Sequence, residues 1–298
     1  MLTNRSSKLT QANQEAKVWR YFHDYVDRGK PGYIYIIRHP GKSLGALIAL
    51  VRLPCLQIAP SSAGIEGTAI RAFLSPRVTA LLSPRSILTR IAGFATAALI
   101  LPLQPGEYSL GASKQTLRRK VRRARKLGVR WAEVTDPQER RELLKLAEES
   151  ERTHPNATYR NPNPDLGELL SYRLWLAAYS VNGTPLLLSV TPVDSELAVL
   201  AYFRTLGAGE GQSVSRYLMT EVLVEHLVDR RVRYLLDGGS LAIPNGIRHF
   251  QRMVGFRIVR IRIARSRPIT GRTAPGLSAP RGRHLRRTGG PSPTVMET

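Results

Sequence analysis

The sequence has little cysteine, few acidic residues and no long apolar run. Cys55 is the single cysteine among 298 residues, which excludes an internal disulfide framework and a cysteine-rich zinc site and fits a reducing compartment. The amino terminus lacks the apolar core of a secretory signal. The longest uncharged apolar run, residues 91–103, is shorter than the roughly 18 to 20 residues that span a bilayer. We therefore predict a cytoplasmic protein without a membrane span, in which residues 91–103 form a buried element.

Motifs for metal and nucleotide chemistry are also missing. No group of His or Cys residues has the spacing of metal ligands, and neither a G-x-S-x-G elbow nor a G-x-x-x-x-G-K-[ST] loop occurs. We expect no bound metal and no nucleotide-triphosphate chemistry.

The charge is strongly positive but unevenly distributed. The chain holds 45 Lys and Arg against 22 Asp and Glu, a formal net charge of +23. Residues 106–135 hold 9 basic and 2 acidic side chains, whereas residues 136–264 hold 16 and 15 and are nearly neutral. A basic stripe attracts anionic partners such as RNA, coenzyme A or a lipid surface. Only 8 of the basic residues are Lys, so the Arg bias of a GC-rich genome is the alternative explanation.

Composition predicts three segments. Pro102 and the pair Pro105-Gly106 precede the densest charge run, which favours a boundary there. The tail is rich in Pro, Gly, Ser, Thr and Arg and is predicted to be disordered, because it has too few apolar side chains to offset its ordering entropy. The predicted segments are an N-terminal region (1–105), a folded domain (106–264) and a basic tail (265–298).

Secondary structure is easier to predict in the second half than in the first. In the first half, Tyr33–His39 and Ala46–Val51 are predicted strands. In the second half, Asp136-Pro137 followed by Glu139 has the form of a helix N-cap, and Asn182-Gly183 has that of a hairpin turn. The predicted helices there are 114–127, 137–152, 213–229 and 246–253, and the predicted strands are 174–181, 186–193, 197–206, 234–237 and 256–264.

This order, together with two local motifs, resembles the GNAT superfamily and its Fem branch of aminoacyltransferases. The run LRRKVRRARKLGVRW (117–131) is similar to the K-x-R-R-x-x-R-K segment that opens the C-terminal half of Fem proteins. The ending, LDGGS (236–240) and FQRMVGF (250–256), is similar to the family's D-f-G-g and F-K-x-x-F-G. The resemblance covers residues 106–264 and implies an α/β (α+β) fold, a GNAT-like mixed sheet with flanking helices. A degenerate GNAT-like half is one interpretation of residues 1–105.

The resemblance implies an acyltransferase that moves an acyl group, such as acetyl, to a small-molecule or peptide amine. Because the helical arm that binds transfer RNA in many Fem proteins is missing, acyl-CoA is the preferred donor. Two alternatives remain open: a Fem-like aminoacyl-tRNA-dependent transferase that forms an amide, and an inactive GNAT-like fold that binds RNA or protein. Gln251 stands where the family has Lys, which favours the inactive fold unless the neighbouring Arg252 replaces that Lys.

The donor site is predicted at the loop after the strand 197–206. GNAT proteins bind the donor's pyrophosphate at a helix N-terminus, where orphan N–H groups and the helix dipole attract anions. The segment RTLGAG (204–209) matches the GNAT pattern Q/R-x-x-G-x-G/A. A plain strand-to-helix connection is the alternative. The predicted cofactor-binding residues are Arg204, Gly207, Gly209, Gly211, Gln212 and Ser213.

Proton transfer in acyl transfer needs a base and an acid. Asp237, Ser240 and His249 are the predicted catalytic residues, because they follow the strand that closes the cleft in this fold. The alternatives are that Asp237 caps the Gly-Gly bend and that His249 is a surface histidine. Predicted substrate-binding residues are Tyr202, Asn245 and Arg252, with a core aromatic as the alternative role for Tyr202.

The basic helix places Arg118, Arg122 and Arg125 on one face at helical spacing. Their mutual repulsion predicts an anionic partner, such as transfer RNA or another anionic surface that also binds the tail. The alternatives are a solvated face and pairing with acidic residues at 148, 149 and 151.

Overall fold

The computed structural model describes residues 3–26, 38–60, 64–74, 94–237, 243 and 245–263, and within them the side chains of all but 3–9, 22–26, 94 and 158. The predicted tail, most of the predicted strand Tyr33–His39, and Ser240 lie outside these residues. The helices are α1 (Thr3–Val26), α2 (Pro40–Val51), α3 (Gly64–Leu74), α4 (Gln115–Lys126), α5 (Pro137–Arg152), α6 (Glu210–Asp229) and α7 (Asn245–Val254).

Ten strands form two sheets in the described part of the chain. They are β1 (Cys55–Ile58), β2 (Phe94–Ile100), β3 (Arg130–Glu133), β4 (Leu174–Tyr179), β5 (Pro185–Thr191), β6 (Val193–Asp194), β7 (Leu197–Leu200), β8 (Tyr202–Thr205), β9 (Tyr234–Asp237) and β10 (Arg257–Ile263).

The larger sheet is mixed, with the order β1-β10-β2-β9-β7-β6. Parallel pairs join β1 to β10 and β7 to β9, and antiparallel pairs join the other neighbours. The smaller sheet, β3-β4-β5-β8, is antiparallel throughout. The predicted mixed α/β sheet with flanking helices is therefore confirmed, and its second half has the expected order of an antiparallel meander followed by strand, helix and strand.

Apolar side chains join the two sheets to the helices. The largest core cluster packs α4 and α6 against both sheets. A second cluster packs α5 against the smaller sheet, and a third packs α3 against the opposite face of the larger sheet. The predicted buried element at 91–103 contains β2, whose Ala97, Ala98 and Leu99 are buried between β10 and β9, whereas Ile100 and Leu103 of the same run are exposed. The predicted boundary at residue 106 thus follows a central strand of this sheet.

Several local sequence motifs adopt the structures predicted for them. Asp136 caps α5 by accepting a hydrogen bond from Glu139 N–H at 2.9 Å, and Pro137 occupies the first turn. Gly183 has φ +78° in the tight turn between β4 and β5. Among the described residues, no helix has the length and apolar character needed to cross a membrane.

Two predicted elements differ from the structure. The strand predicted at Ala46–Val51 is wrong, since these residues belong to α2. A short apolar run does not distinguish a strand from a buried helix, and here Pro40 at the helix start and the three-residue spacing of buried Ala46 and Ala49 favour the helix. The strand predicted at 197–206 is interrupted at Ala201, where the chain passes from the larger sheet to the smaller.

Candidate functional site

A cleft opens where the chain changes sheets. β7 pairs with β9 from Leu197 to Leu200, and the last pair joins Leu200 to Asp237. After Ala201, β8 pairs with β5 of the smaller sheet instead. The space left between β8 and the end of β9 is a cleft of about 690 Å³, whose lining includes residues 200–205, Asp237 and the cleft-facing side of α7.

A chain of polar contacts closes one side of this cleft. Gln251 Nε2 donates a hydrogen bond to Asp237 Oδ2 at 2.7 Å, and Gln251 Oε1 accepts one from Arg248 at 3.2 Å. Arg248 pairs with Glu15 of α1 at 3.3 Å. Gln251 is 1% exposed, and Arg248 and Glu15 are also buried. The N-terminal helix therefore supports, through three side chains, the carboxylate at the end of β9.

Burial shifts the ionisation of this pair. Burial raises the pKa of Glu15, and the neighbouring Arg257 and Arg248 only partly oppose that effect. Burial likewise lowers the pKa of Arg248 although Glu15 favours its charged form. Desolvation thus outweighs attraction for both partners, as is common for buried ion pairs.

Glu151 and Arg204 form a second polar group in the cleft. Glu151, near the end of α5, has a buried side chain and pairs with Arg204 Nη1 at 3.1 Å. Its backbone carbonyl accepts a hydrogen bond from Asn161 N–H at 3.0 Å. Arg204 is half-exposed, so its guanidinium also reaches solvent.

The Tyr202 hydroxyl is buried in the same region. It has no hydrogen-bond partner in the part of the chain that the structure describes. Burial, and secondarily the Glu151 carboxylate, raise the pKa of Tyr202 well above its ordinary value, although Glu151 does not meet hydrogen-bond geometry with it. The phenol is therefore protonated at neutral pH and has an unused donor.

Arg216 of α6 brings a cation to the cleft, and the described residues contain no carboxylate paired with it. Its guanidinium lies over the Phe250 ring at 5.2 Å, and both residues line the cleft. Arg216 Nε is buried without a hydrogen-bond partner among the described residues. This end of the cleft is suited to a ligand with an anionic or strongly accepting group.

The predicted donor loop leads directly into α6. Gly207 and Gly209 have φ +89° and +143°, backbone conformations that favour glycine. The helix begins at Glu210, three residues earlier than predicted, and its first internal hydrogen bond runs from Ser213 N–H to Gly209 O at 3.0 Å. Arg204 lines the cleft. Gly207, Gly209, Gly211, Gln212 and Ser213 form the loop and first turn after it.

The other predicted site residues that the structure describes lie on the strands β8 and β9 and on the helix α7. Asp237 and Tyr202 line the cleft. Asn245 begins α7 beside Gly246, which lines the cleft, whereas His249 and Arg252 lie on the exposed side of the helix. Glu151, Arg216 and Phe250 also line the cleft, and none of them was predicted as a site residue. Helical spacing could have indicated Phe250, because Gly246, Ile247 and Gln251 lie on the same side of α7.

The basic helix α4 is partly neutralised by the protein itself. Arg118 donates to the carbonyls of Ser109 and Gly111 at 2.6 and 2.7 Å. Arg125 pairs with Glu221 at 2.8 Å, and Arg123 pairs with Glu210 at 2.8 Å. Arg122 is exposed.

One alternative for α4 was pairing with the acidic residues at 148, 149 and 151, and two of these three pair elsewhere. Glu149 pairs with Arg152, and Glu151 pairs with Arg204. The described residues contain no cluster of three or more His, Cys, Asp or Glu side chains that could hold a metal ion.

No protein-family model matches this sequence, and no curated protein matches it. The Fem branch therefore remains a hypothesis. Among solved structures, the chain is similar to L-PGS from Bacillus licheniformis, with 14% identity and a TM-score of 0.44 over 61% of this chain and 66% of that one.

Two further solved structures are similar. One is the C-terminal domain (DUF2156) of a lysylphosphatidylglycerol synthetase from Agrobacterium fabrum, with 14% identity and a TM-score of 0.41 over 56% of this chain and 60% of that one. The other is a conserved protein of unknown function from Bacteroides thetaiotaomicron VPI-5482, with 12% identity and the same TM-score and coverage. This chain spans less than two thirds of each of these structures.

Proposed function

We propose that the chain is an acyltransferase that moves an acyl group from a donor lying along β8 to an amine that enters the cleft beside Asp237. One observation carries the proposal: β7 pairs with β9 up to Leu200 and Asp237, and β8 then leaves that sheet. The lining of the resulting cleft includes the Asp237 carboxylate, the protonated Tyr202 phenol and the Arg216 guanidinium, whose Nε has no hydrogen-bond partner among the described residues.

The free edge of β8 suits a donor that contains amide groups. β8 pairs with β5 on one side and is an edge strand of its sheet among the described residues. Its residues line the cleft. A donor with amides along its length can add to such an edge through backbone hydrogen bonds, which would direct its acyl end towards Asp237.

The side chains account for the proton transfers of the reaction. The amine nitrogen attacks the acyl carbonyl carbon, so that a C–N bond forms and the C–S bond of a thioester, or the C–O bond of an ester, breaks. Asp237 accepts the proton that the amine loses, and Gln251 holds that carboxylate in place. Tyr202 gives its proton to the leaving sulfur or oxygen.

Acyl-CoA is the first candidate donor. The loop Gly207–Gly209 lies directly before α6, and a helix N-terminus favours phosphate, although the Gly207 N–H already donates to Ser150 Oγ at 3.2 Å. On this proposal, Gly207, Gly209, Gly211, Gln212 and Ser213 hold the pyrophosphate, and Arg204 lies beside the pantetheine. The acceptor is a small-molecule or peptide amine.

Aminoacyl-tRNA is the second candidate donor. Arg119, Arg122 and Lys126 are exposed on α4, and Arg123 of the same helix bonds to Glu210 at the start of α6. A basic surface beside the donor loop would bind RNA phosphates with strong salt dependence.

Titration calorimetry of the full chain with acetyl-CoA, and separately with total aminoacyl-tRNA, tests the donor. Gly209→Glu places a negative charge in the donor loop. Gly183→Glu is the matched control, because it puts the same side chain at another left-handed glycine, in the turn between β4 and β5.

Heat with acetyl-CoA that is lost in Gly209→Glu and kept in Gly183→Glu would support an acyl-CoA donor. Binding of aminoacyl-tRNA alone, weakened by salt and by Arg122→Ala, would select the second donor. Binding of neither would overturn the transferase proposal and leave a GNAT-like fold without this activity.

A further inference from the structure

Helix α2 buries small side chains and leaves several large apolar side chains exposed, while Leu50 packs against the core. Ala46 and Ala49 are buried, while Leu44, Ile48 and Val51 are 58%, 44% and 45% exposed. A helix that only covers a protein core has the opposite arrangement, with its largest apolar side chains buried. Core packing therefore does not explain the outward face of α2.

The outward side chains form one continuous stripe. Leu44, Ile48 and Val51 are four and three residues apart, so they lie on the same side of the helix, and exposed Pro40 lies one turn earlier. The stripe is roughly 16 Å long at 1.5 Å per residue. Gly45 beside it has open space where a side chain would be, which leaves the stripe as a ridge.

Basic side chains lie at both ends of this ridge, although Lys42, four residues before Ala46, is on the side of α2 that carries the buried alanines. Arg38, Lys42 and Arg52 are exposed at the two ends of α2. In the sequence, residues 28–65 contain five Lys or Arg and no Asp or Glu. An apolar stripe flanked by Lys and Arg is typical of helices that lie in the interface of an anionic bilayer.

A lipid surface fits these features better than a second copy of the chain. In a symmetric dimer through α2, the same cations would face one another across the contact and repel. A bilayer offers acyl chains to the ridge and phosphates to the cations. A helix of 12 residues is too short to span a bilayer of about 30 Å, so it would lie flat.

We propose that α2 docks the protein on membranes that contain anionic phospholipid. Leu44, Ile48 and Val51 insert between the headgroups, and Arg38, Lys42 and Arg52 contact lipid phosphates. This surface is separate from the cleft, and the proposal does not depend on the reaction that the cleft performs.

Vesicle co-sedimentation of the full chain tests the docking. The probes are phosphatidylcholine vesicles with and without phosphatidylserine. The variant is Leu44→Ser/Ile48→Ser/Val51→Ser, and the control, Ile65→Ser/Leu103→Ser/Leu110→Ser, removes three other exposed apolar side chains. We expect the wild-type protein and the control to bind the anionic vesicles and the stripe variant to bind at least about tenfold more weakly.

A second readout separates insertion from charge attraction by the basic tail. Cys55 is exposed and is the single cysteine of the chain, so it can carry an environment-sensitive fluorophore just beyond α2. Its emission should shift to the blue on anionic vesicles in the control and not in the stripe variant. If the stripe variant cannot be purified folded, Arg38→Glu/Lys42→Glu/Arg52→Glu should abolish the same shift.

Three outcomes would overturn the proposal. One is a stripe variant that binds and shifts as the control does, which would leave charge attraction alone. Another is a wild-type protein that does not bind anionic vesicles. The third is a wild-type dimer that the stripe variant converts to a monomer, without any vesicle binding, which would make a second copy the partner of α2.

Discussion

Gln251 donates to Asp237 Oδ2 at 2.7 Å and accepts from Arg248 at 3.2 Å through the same amide group. A lysine at this position could donate to Asp237, but it has no acceptor and would place a second cation against Arg248. Gln251 is thus the residue type that satisfies both neighbours. The departure from the Fem pattern at this position is matched by the buried Arg248 and Glu15.

Replacing Gln251 by Leu should destabilise the protein. The change leaves the Asp237 carboxylate and the buried Arg248 without their shared partner, at a cost of about 1–3 kcal/mol in the free energy of unfolding. Urea unfolding measures the loss. Gln138→Leu on the exposed side of α5, where Gln138 bonds to Glu142, is the matched control and should change stability by less than about 0.5 kcal/mol. Equal effects of the two changes would contradict this account.

Tyr202→Phe should lower the activity of the protein without lowering its stability. Because the Tyr202 hydroxyl has no partner among the described residues, its removal should leave the free energy of unfolding unchanged or slightly higher. If Tyr202 protonates the leaving group, the rate of acyl transfer should fall by about 10²–10⁴. Single-turnover kinetics with the donor identified by calorimetry measures this. A variant with full activity would remove Tyr202 from the reaction.

Glu15→Gln should change how stability depends on pH. The pKa of Glu15 is raised from 4.5 on folding, so the folded state binds more protons than the unfolded state above that pH. Its ionisation therefore lowers the stability of the wild-type protein as pH rises from about 4.5. Unfolding experiments at a series of pH values should show that the free energy of unfolding of the variant rises relative to that of wild type as the pH increases above about 4.5. A difference that does not vary with pH would exclude Glu15 as the source.

Lys114→Met should remove a contribution to stability that increases with pH in the alkaline range. Its sign is opposite to that of the Glu15 contribution. Burial, with a smaller contribution from Arg257, lowers the pKa of Lys114 from 10.5 to about 8. The unfolded state then binds more protons than the folded state between these values, so Lys114 raises stability as pH increases from about 8 to 10.5. The measurement is the wild-type minus variant difference in unfolding free energy, with exposed Lys145→Met as the baseline. A flat difference would contradict the shift.

Two glycine substitutions should have opposite effects on the free energy of unfolding. An added Cβ at Gly209, where φ is +143°, would lie 2.8 Å from Gln212 Oε1, so Gly209→Ala should cost about 1–3 kcal/mol. Gly45 lies within α2 and faces open space, so Gly45→Ala should add about 0.5–1 kcal/mol. Thermal unfolding of both variants tests the pair, and a stable Gly209→Ala protein would show that the loop relaxes.

Local signals in the sequence predicted much of the second half of the fold. Asp136 with Pro137, and Asn182 with Gly183, act through neighbouring atoms, so their structures follow from short-range rules. The strand Arg130–Glu133 was missed because four exposed residues carry no alternating pattern. The helix at Ala46–Val51 was missed because a short apolar run was weighed above Pro40 and the Ala46–Ala49 spacing, which are also in the sequence.

The site was harder to predict, because its contacts join distant parts of the chain. Asp237 and Tyr202 were selected from their positions on strands, and both line the cleft. Glu151, Arg216 and Glu15 were not, because their importance arises from partners that only the fold brings close. Sequence spacing identifies which side of a helix a residue occupies, but not what faces that side.

The position of β10 has a consequence for synthesis of the protein. β10 pairs with both β1 and β2, and Arg260 lies opposite Cys55 and Ala95, so among the described strands the last in chain order fits between the first two. Until it emerges from the ribosome, β1 and β2 each have an open edge and no common neighbour. Such long-range pairing slows folding and leaves strand edges exposed to intermolecular pairing, so the nascent chain should depend on chaperones until β10 has emerged.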